Sequence, residues 1–353
     1  MMRSKNRYLF FITFILVIDQ ICCLKSRSCT SKNAYVTMVV DDLTAIGAMV
    51  LQQSLNNTQT NHCIVAMVTD TVSWLIRDML GDRFHKVIDI KPIKVKKGDR
   101  PPSPLFGKFR AWSFEEYDTI VYLHSDTLVL SNVDELFHYP ELSAVAEGTW
   151  TDHFNSGVMV IKPSVERFKS LRNMAKQEQS FDDTDQGTLN MYFSTWHRLS
   201  CIYNTAGDSP ETAVGAYNRF GHRVKIVRFN TEMKPWLVSF NLEAEQTEMY
   251  AGELGLIPVP RPFYERWWRV FRASIRPHLD KVLRSHNMAI VQDGPRIFLG
   301  DPYTGLHVQA NFFALNDKSY PKFLNVQGKA INNQYCTQLD FFLWDQGTFD
   351  VRG

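Results

Sequence analysis

Residues 119–130, TIVYLHSDTLVL, form an apolar, β-branched run that stops at His124-Ser125-Asp126 and resumes as Leu128-Val129-Leu130. Such a run reads as a parallel strand buried on both faces, with polar side chains delivered at its carboxyl end. In open α/β sheets, ligands sit outside the carboxyl ends of the strands. A carboxylate held there, Asp126, can carry a hard divalent cation, and the cation can carry a diphosphate.

The flanking sequence alternates between the two periodicities. Residues 35–40, 63–68, 87–90, 158–161 and 224–229 read as strands. Asp41-Asp42 opens a helix with Leu43, Ile46, Gly47, Val50 and Leu51 on one face, ending at Asn56-Asn57. Further helices are expected over residues 72–80, where Gly81 is the stop signal, and over 106–116, 165–177 and 186–196. Residues 91–104 are basic and end in Pro101, Pro102 and Pro104, a loop signature. Residues 263–283 form a long amphipathic helix whose aromatic face is expected to pack on the core. Beyond Arg284 the sequence reads as irregular. Strand-helix alternation with short connections implies an α/β fold, a mostly parallel sheet flanked by helices.

A chain of 353 residues can bury one large core of this kind. Its 39 basic and 37 acidic side chains leave a net charge of +2, which gives no field for nucleic acid. Arg3, Lys5 and Arg7 precede the apolar residues 8–18, a signal peptide or signal anchor over residues 1–28 that directs the chain to the secretory lumen or out of the cell. Cys22, Cys23, Cys29, Cys63, Cys201 and Cys336 make no metal-type Cys-x-x-Cys pair, and spacing alone does not say which of them form disulfides. Asn56 heads an Asn-x-Thr sequon.

Several strings in sequence order resemble glycosyltransferase family 8, the glycogenin-like transferases. They are Ala34-Tyr35-Val36-Thr37, Gly107-Lys108-Phe109-Arg110-Ala111-Trp112, His124-Ser125-Asp126 and Phe154-Asn155-Ser156-Gly157-Val158. After these come Asp182-Asp183-Thr184-Asp185-Gln186-Gly187, Arg219-Phe220-Gly221 and Lys234-Pro235-Trp236. The resemblance implies a Rossmann-like GT-A domain over residues 34–240, a helical extension over 241–285 and a tail of unassigned role over 286–353. It also implies transfer of a glucose-like sugar from a UDP-sugar, with retention, to a glycan or glycoprotein acceptor, usually with manganese; a homodimer is an open alternative. On matching positions, Met38 and Asp41 lie near uracil and ribose, and Lys108 and Lys234 near phosphates and sugar. Asn155, Asp182, Asp185 and Gln186 orient the sugar, Asp185 nearest the reacting carbon, and Asp126 is the metal carboxylate. Taken singly, Asp185 and Gln186 also fit a helix cap, Asn155 a turn and Lys234 a solvated charge.

Three positions depart from the family. His124 stands where the first metal carboxylate is expected, Arg228 where a metal-binding histidine is expected, and Glu211 where glycogenin carries its self-acceptor tyrosine. Exchanging a carboxylate for imidazole removes a negative charge, and a guanidinium cannot ligate a metal. Manganese binding is therefore expected to be weak or absent. Two readings remain: a metal-independent transferase in which Arg228 takes the cation's place, or a silent relative that binds nucleotide, glycan or protein.

Overall fold

A computed structural model describes residues 28–91, 93, 104–148, 150–231, 234–250, 256–258, 261–285, 288–293, 296–299 and 312–314. The leader of residues 1–28 lies outside them but for its last residue, as do most of the basic loop and of the tail. Among the described residues no helix is long and apolar enough to cross a membrane.

Strands β1 (Asn33–Val39), β2 (Cys63–Val68), β3 (Lys86–Asp89), β4 (Thr119–Leu123), β6 (Ser143–Ala146), β7 (Phe154–Ile161) and β8 (His197–Leu199) form one sheet in the order β3-β2-β1-β4-β7-β6-β8. β1 to β4 run parallel and only β7 opposes its neighbours. β5 (Thr127–Val129), β9 (Thr205–Ala206) and β10 (Ile226–Arg228) make a small sheet on the carboxyl side, with Arg228 opposite Thr127. β11 (Ser239–Asn241), β12 (Gln246–Tyr250), β13 (Leu256–Pro258), β14 (Met288–Asp293), β15 (Arg296–Phe298) and β16 (Phe312–Ala314) form a third, antiparallel sheet.

The central strands are apolar because helices cover both faces. Successive side chains of β1 point to opposite sides. Tyr35 and Val39 join the layer of α1 (Asp42–Asn57), α2 (Trp74–Arg83), α7 (Pro262–Val270) and α8 (Arg276–Ser285). Ala34, Val36 and Met38 join Phe106, Phe109 and Trp112 of the 3-10 helix Pro104–Ser113, with α3 (Val165–Lys176) and α4 (Asp185–Tyr192). Two short helices, α5 (Ser209–Thr212) and α6 (Val214–Phe220), precede β10. α1 starts with a reciprocal capping box, in which Asp41 accepts from the Thr44 amide and Thr44 Oγ1 from the Asp41 amide. Gly47 lets α1 approach the site: a Cβ there would lie 2.7 Å from the Ser125 carbonyl and 2.6 Å from the Trp236 ring.

The sheet is mostly parallel, as expected, and five local readings change. α2 runs through Gly81 to Arg83, because packing on α1 and α8 outweighs the roughly 1 kcal/mol that a mid-helix glycine costs. Residues 104–113 wind as a 3-10 helix, and α4 closes at Tyr192. The aromatic face of residues 263–283 is buried, but a π-turn over Phe271–Ile275 separates α7 from α8. The sequence beyond Arg284 contains β14 to β16 rather than irregular chain. Its strands pair through tertiary partners, which no local alternation announces. A disulfide between Cys29 and Cys63 ties the segment entering β1 to the start of β2.

Candidate active site

At the carboxyl edge of β4 the chain turns through His124-Ser125-Asp126 into β5. The His124 amide donates to the Gly157 carbonyl of β7 at 2.9 Å, and the Phe229 amide, just after β10, donates to the Asp126 carbonyl at 2.9 Å. Thr127 Oγ1 closes the turn on the His124 carbonyl at 2.7 Å. The break in the apolar run is thus a junction between two sheets, held from both sides.

Asp126 is buried, and three side chains converge on it. Lys234 Nζ lies 2.5 Å from Oδ2, Arg228 Nε 3.3 Å from Oδ1, and His124 Nδ1 2.7 Å from Oδ1. Burial acts to raise the Asp126 carboxyl, but His124, Arg228 and Lys234 together hold it well below the usual range, so it is ionised. Burial pushes the His124 imidazole down, against the pull of Asp126. The His124 Nδ1 faces a carboxylate oxygen, which accepts, and the permanent positive charges beside Asp126 are Arg228 and Lys234.

The guanidinium of Arg228 also donates to Asn155 Oδ1, which accepts the Gly157 amide at 2.9 Å and Asn204 Nδ2 at 3.0 Å as well. Gly157 makes room for this guanidinium. A methyl group on its Cα would lie 2.5 Å from Arg228 Cζ and Nε. Next along β7, Ser156 accepts from Lys108 Nζ at 3.1 Å, and Lys108 Nζ lies 2.5 Å from Asp185 Oδ2 in a buried ion pair. The Ser156 amide donates to Gln186 Oε1 at 2.9 Å. One unbroken path of contacts therefore joins Lys234, Asp126, Arg228, Asn155, Ser156, Lys108, Asp185 and Gln186.

The remaining expected residues sit differently. The N-cap of α4 is Thr184, whose Oγ1 accepts the Gln186 and Gly187 amides, so Asp185 is not the cap. Asp182 is exposed, and its Oδ1 accepts from Ser180 Oγ, Thr184 N and Thr184 Oγ1, which fixes the loop entering α4. Asp41 caps α1 at the end of β1. Met38 is buried beneath the 3-10 helix, 3.0 Å from where a Cβ on Gly107 would lie. Lys234 is part-buried on Asp126 rather than solvated.

Glu147 was not singled out by the sequence. Its Oε2 accepts from Asn155 Nδ2 at 2.8 Å and Gln186 Nε2 at 3.2 Å, setting which way both amides face. Burial opposes its ionisation, but these bonds and the Gly148 amide hold its carboxyl below the usual value. A lone Glu after a short strand carries no motif, so only the fold reveals it.

A mostly parallel sheet carrying polar side chains at its carboxyl edge is the arrangement of a GT-A glycosyltransferase domain, and the relatives of this chain bear that out. In fold the chain is similar to the bifunctional glycosyltransferase WbbM, with a TM-score of 0.52 at 17% identity over 73% of this chain and 52% of that one. The description of Glycosyl transferase family 8 matches residues 10–239. The chain is 31% identical to mouse glycogenin-1 over 91% of its own length and 94% of that protein's. It is 35% identical to human glycogenin-2 over 69% of its length, a match that spans 51% of glycogenin-2. The chain belongs to glycosyltransferase family 8, as a glycogenin-like member.

Proposed function

We propose that this glycosyltransferase moves a glucose-like hexose from a UDP-sugar to a separate glycan or glycoprotein acceptor, with retention, and that Arg228 and Lys234 replace the divalent cation. The observation that carries the reading is the occupation of Asp126. A manganese ion would need this carboxylate, yet both its oxygens already face cations, and the imidazole of His124 is turned onto it. These residues do not fit a divalent metal. Two cations around one carboxylate leave one net positive charge at the turn. A planar guanidinium and an ammonium suit diphosphate oxygens, and both have further N–H groups to offer.

In the proposed reaction the bond between the anomeric carbon and the diphosphate oxygen breaks, and the electron pair leaves with the diphosphate. Arg228 and Lys234 stabilise that developing charge in a water-poor setting. The acceptor oxygen bonds to the carbon on the face the diphosphate leaves, and its proton passes to a diphosphate oxygen. Lys108 pairs with Asp185 beside the sugar, where the carboxylate favours positive charge on the reacting carbon. Asn155 and Gln186 orient the hydroxyls, while Met38 and Asp41 border the base and ribose.

A separate acceptor is favoured by the segment that would carry a self-acceptor. Glu211 lies 3.5 Å from Arg261, and the Tyr217 ring is packed edge-on against Phe263 and under Gly221. A secretory address is supported by the basic and apolar leader and by the Cys29–Cys63 disulfide. The test is a thermal-shift panel of UDP-sugars with manganese and with EDTA, followed by turnover of the sugar that protects. Protection in EDTA with UDP release supports the reading. Protection without turnover on any acceptor supports the silent-relative alternative, and protection only with manganese ends the metal-free version.

A further inference from the structure

The loops leading into β7 and α4, which carry Asn155 and Asp185, present large aromatic rings to solvent. Trp150 is 63% exposed and Phe181 52%, whereas rings of this size are usually well covered. His153 joins them. Its ring stacks on Phe181 with centroids 4.6 Å apart and planes 28° apart, and lies 6.5 Å from Trp150.

This platform is continuous with the site. The Glu147 amide donates to the His153 carbonyl at 2.8 Å, while the Glu147 carboxylate holds Asn155 and Gln186. Phe181 directly precedes Asp182, which fixes Thr184 at the cap of α4, one residue before Asp185. The rim beside the rings is polar. Arg198 donates to the Thr151 carbonyl at 2.6 Å, lies over the Trp196 ring at 4.6 Å and comes within 3.7 Å of Asp152.

Stacked, solvent-facing rings have an electron-rich face that attracts partly positive C–H groups, which a pyranose presents on one side. A carboxylate and a guanidinium at the rim can accept and donate to the sugar's edge hydroxyls. We propose that Trp150, His153 and Phe181 form an acceptor subsite that takes a neutral pyranose of a glycan, with Asp152 and Arg198 at its rim. The inference rests on the glycosyltransferase reading above and names the surface on which that reaction's acceptor lies.

The test uses the full chain and four neutral oligosaccharides, maltotetraose, cellotetraose, xylotetraose and lactose, read by saturation-transfer NMR and tryptophan fluorescence. At least one should bind. Trp150→Ala should weaken it tenfold or more, and Trp150→Phe, which keeps a ring, by less than threefold. Phe181→Leu keeps an apolar side chain without the aromatic face and should weaken binding severalfold, which covers the case of a Trp150→Ala protein that fails to fold. The UDP-induced melting shift should be unchanged in every variant. The platform is overturned if none of the four sugars binds while UDP still protects. It is equally overturned if the alanine variant binds sugar normally, or if sedimentation shows that Trp150→Ala dissociates a dimer, since a second copy would then cover the rings. Sugar binding that is lost in Trp150→Ala, in a protein UDP does not protect, would uphold the platform and remove the donor reading instead.

Discussion

Two carboxylate clusters lie at opposite ends of the parallel strands, and their partners differ in kind. At the amino end, Asp134 Oδ1 accepts from Tyr35 Oη at 2.6 Å and Thr60 Oγ1 at 2.7 Å, both neutral hydroxyls. At the carboxyl end, Asp126 meets Lys234 and Arg228, both cations. Burial opposes ionisation at each, and at each the partners hold the carboxyl below its ordinary value. Neutral donors satisfy Asp134 and leave no positive charge over. Cations satisfy Asp126 and leave charge to spare, so the first cluster fastens the fold while the second can also receive an anion.

Truncation should separate the clusters most strongly. Asp126→Ala leaves two part-buried cations without their anion and should cost about 3–5 kcal/mol, with loss of UDP protection. Asp134→Ala strands only neutral donors and should cost about 1–3 kcal/mol with UDP protection intact. Urea unfolding and UDP thermal shifts on both variants check this. Equal losses, or UDP protection lost in both, would erase the distinction.

Gly157→Ala sharpens it. The added methyl group meets the flexible end of Arg228, so the fold should lose less than about 1 kcal/mol, the usual range of a tolerated substitution. UDP affinity should fall about tenfold, or 1.4 kcal/mol, by displacement of the guanidinium. A normal dissociation constant in calorimetry would show that Arg228 does not hold the diphosphate.

Acidification offers a third comparison. The folded His124 titrates below its ordinary value of 6.5, so the unfolded chain takes up this proton first. Stability from His124 is present above about pH 6.5 and is lost as pH falls through the folded value, at up to about 1.4 kcal/mol per pH unit. Asp126 adds its loss from the ordinary carboxylate range downward, where the unfolded chain takes up that proton and the folded one does not. His278 is also lowered, burial being the main cause, so the informative quantity is the difference between the wild type and His124→Gln. The variant should show a shallower loss below pH 6.5, and identical curves would mean that folded His124 titrates at its ordinary value. The smallest effect belongs to Glu147→Gln. It should weaken a UDP-sugar severalfold but leave UDP unchanged, because Glu147 sets the amides that face the sugar.

How far the sequence carried depends on the range of the forces involved. The strands at residues 63–68 and 119–123 were legible because full burial writes an unbroken apolar run, and α1 because its cap and apolar spacing agree. The ion network was legible in membership, since Asp126, Lys108 and Lys234 stand in ordered strings and Arg228 stands where a metal ligand is expected, but not in pairing. Nothing local says that Lys234 meets Asp126 across more than 100 residues. Glu147 and the Trp150–His153–Phe181 stack were not visible, because each depends on side chains that only the fold brings together. The third sheet escaped for the same reason. β11 pairs with β15 far along the chain, and pairing of that kind leaves no periodic trace.

The measurement closest to the central claim is calorimetric titration of UDP into the full chain in EDTA, alongside Arg228→Ala and Lys234→Ala. We expect binding without metal, unchanged by added manganese and at least tenfold weaker in each variant. Binding that appears only when manganese is supplied, or that both variants retain, would contradict the assignment of the diphosphate to these two cations.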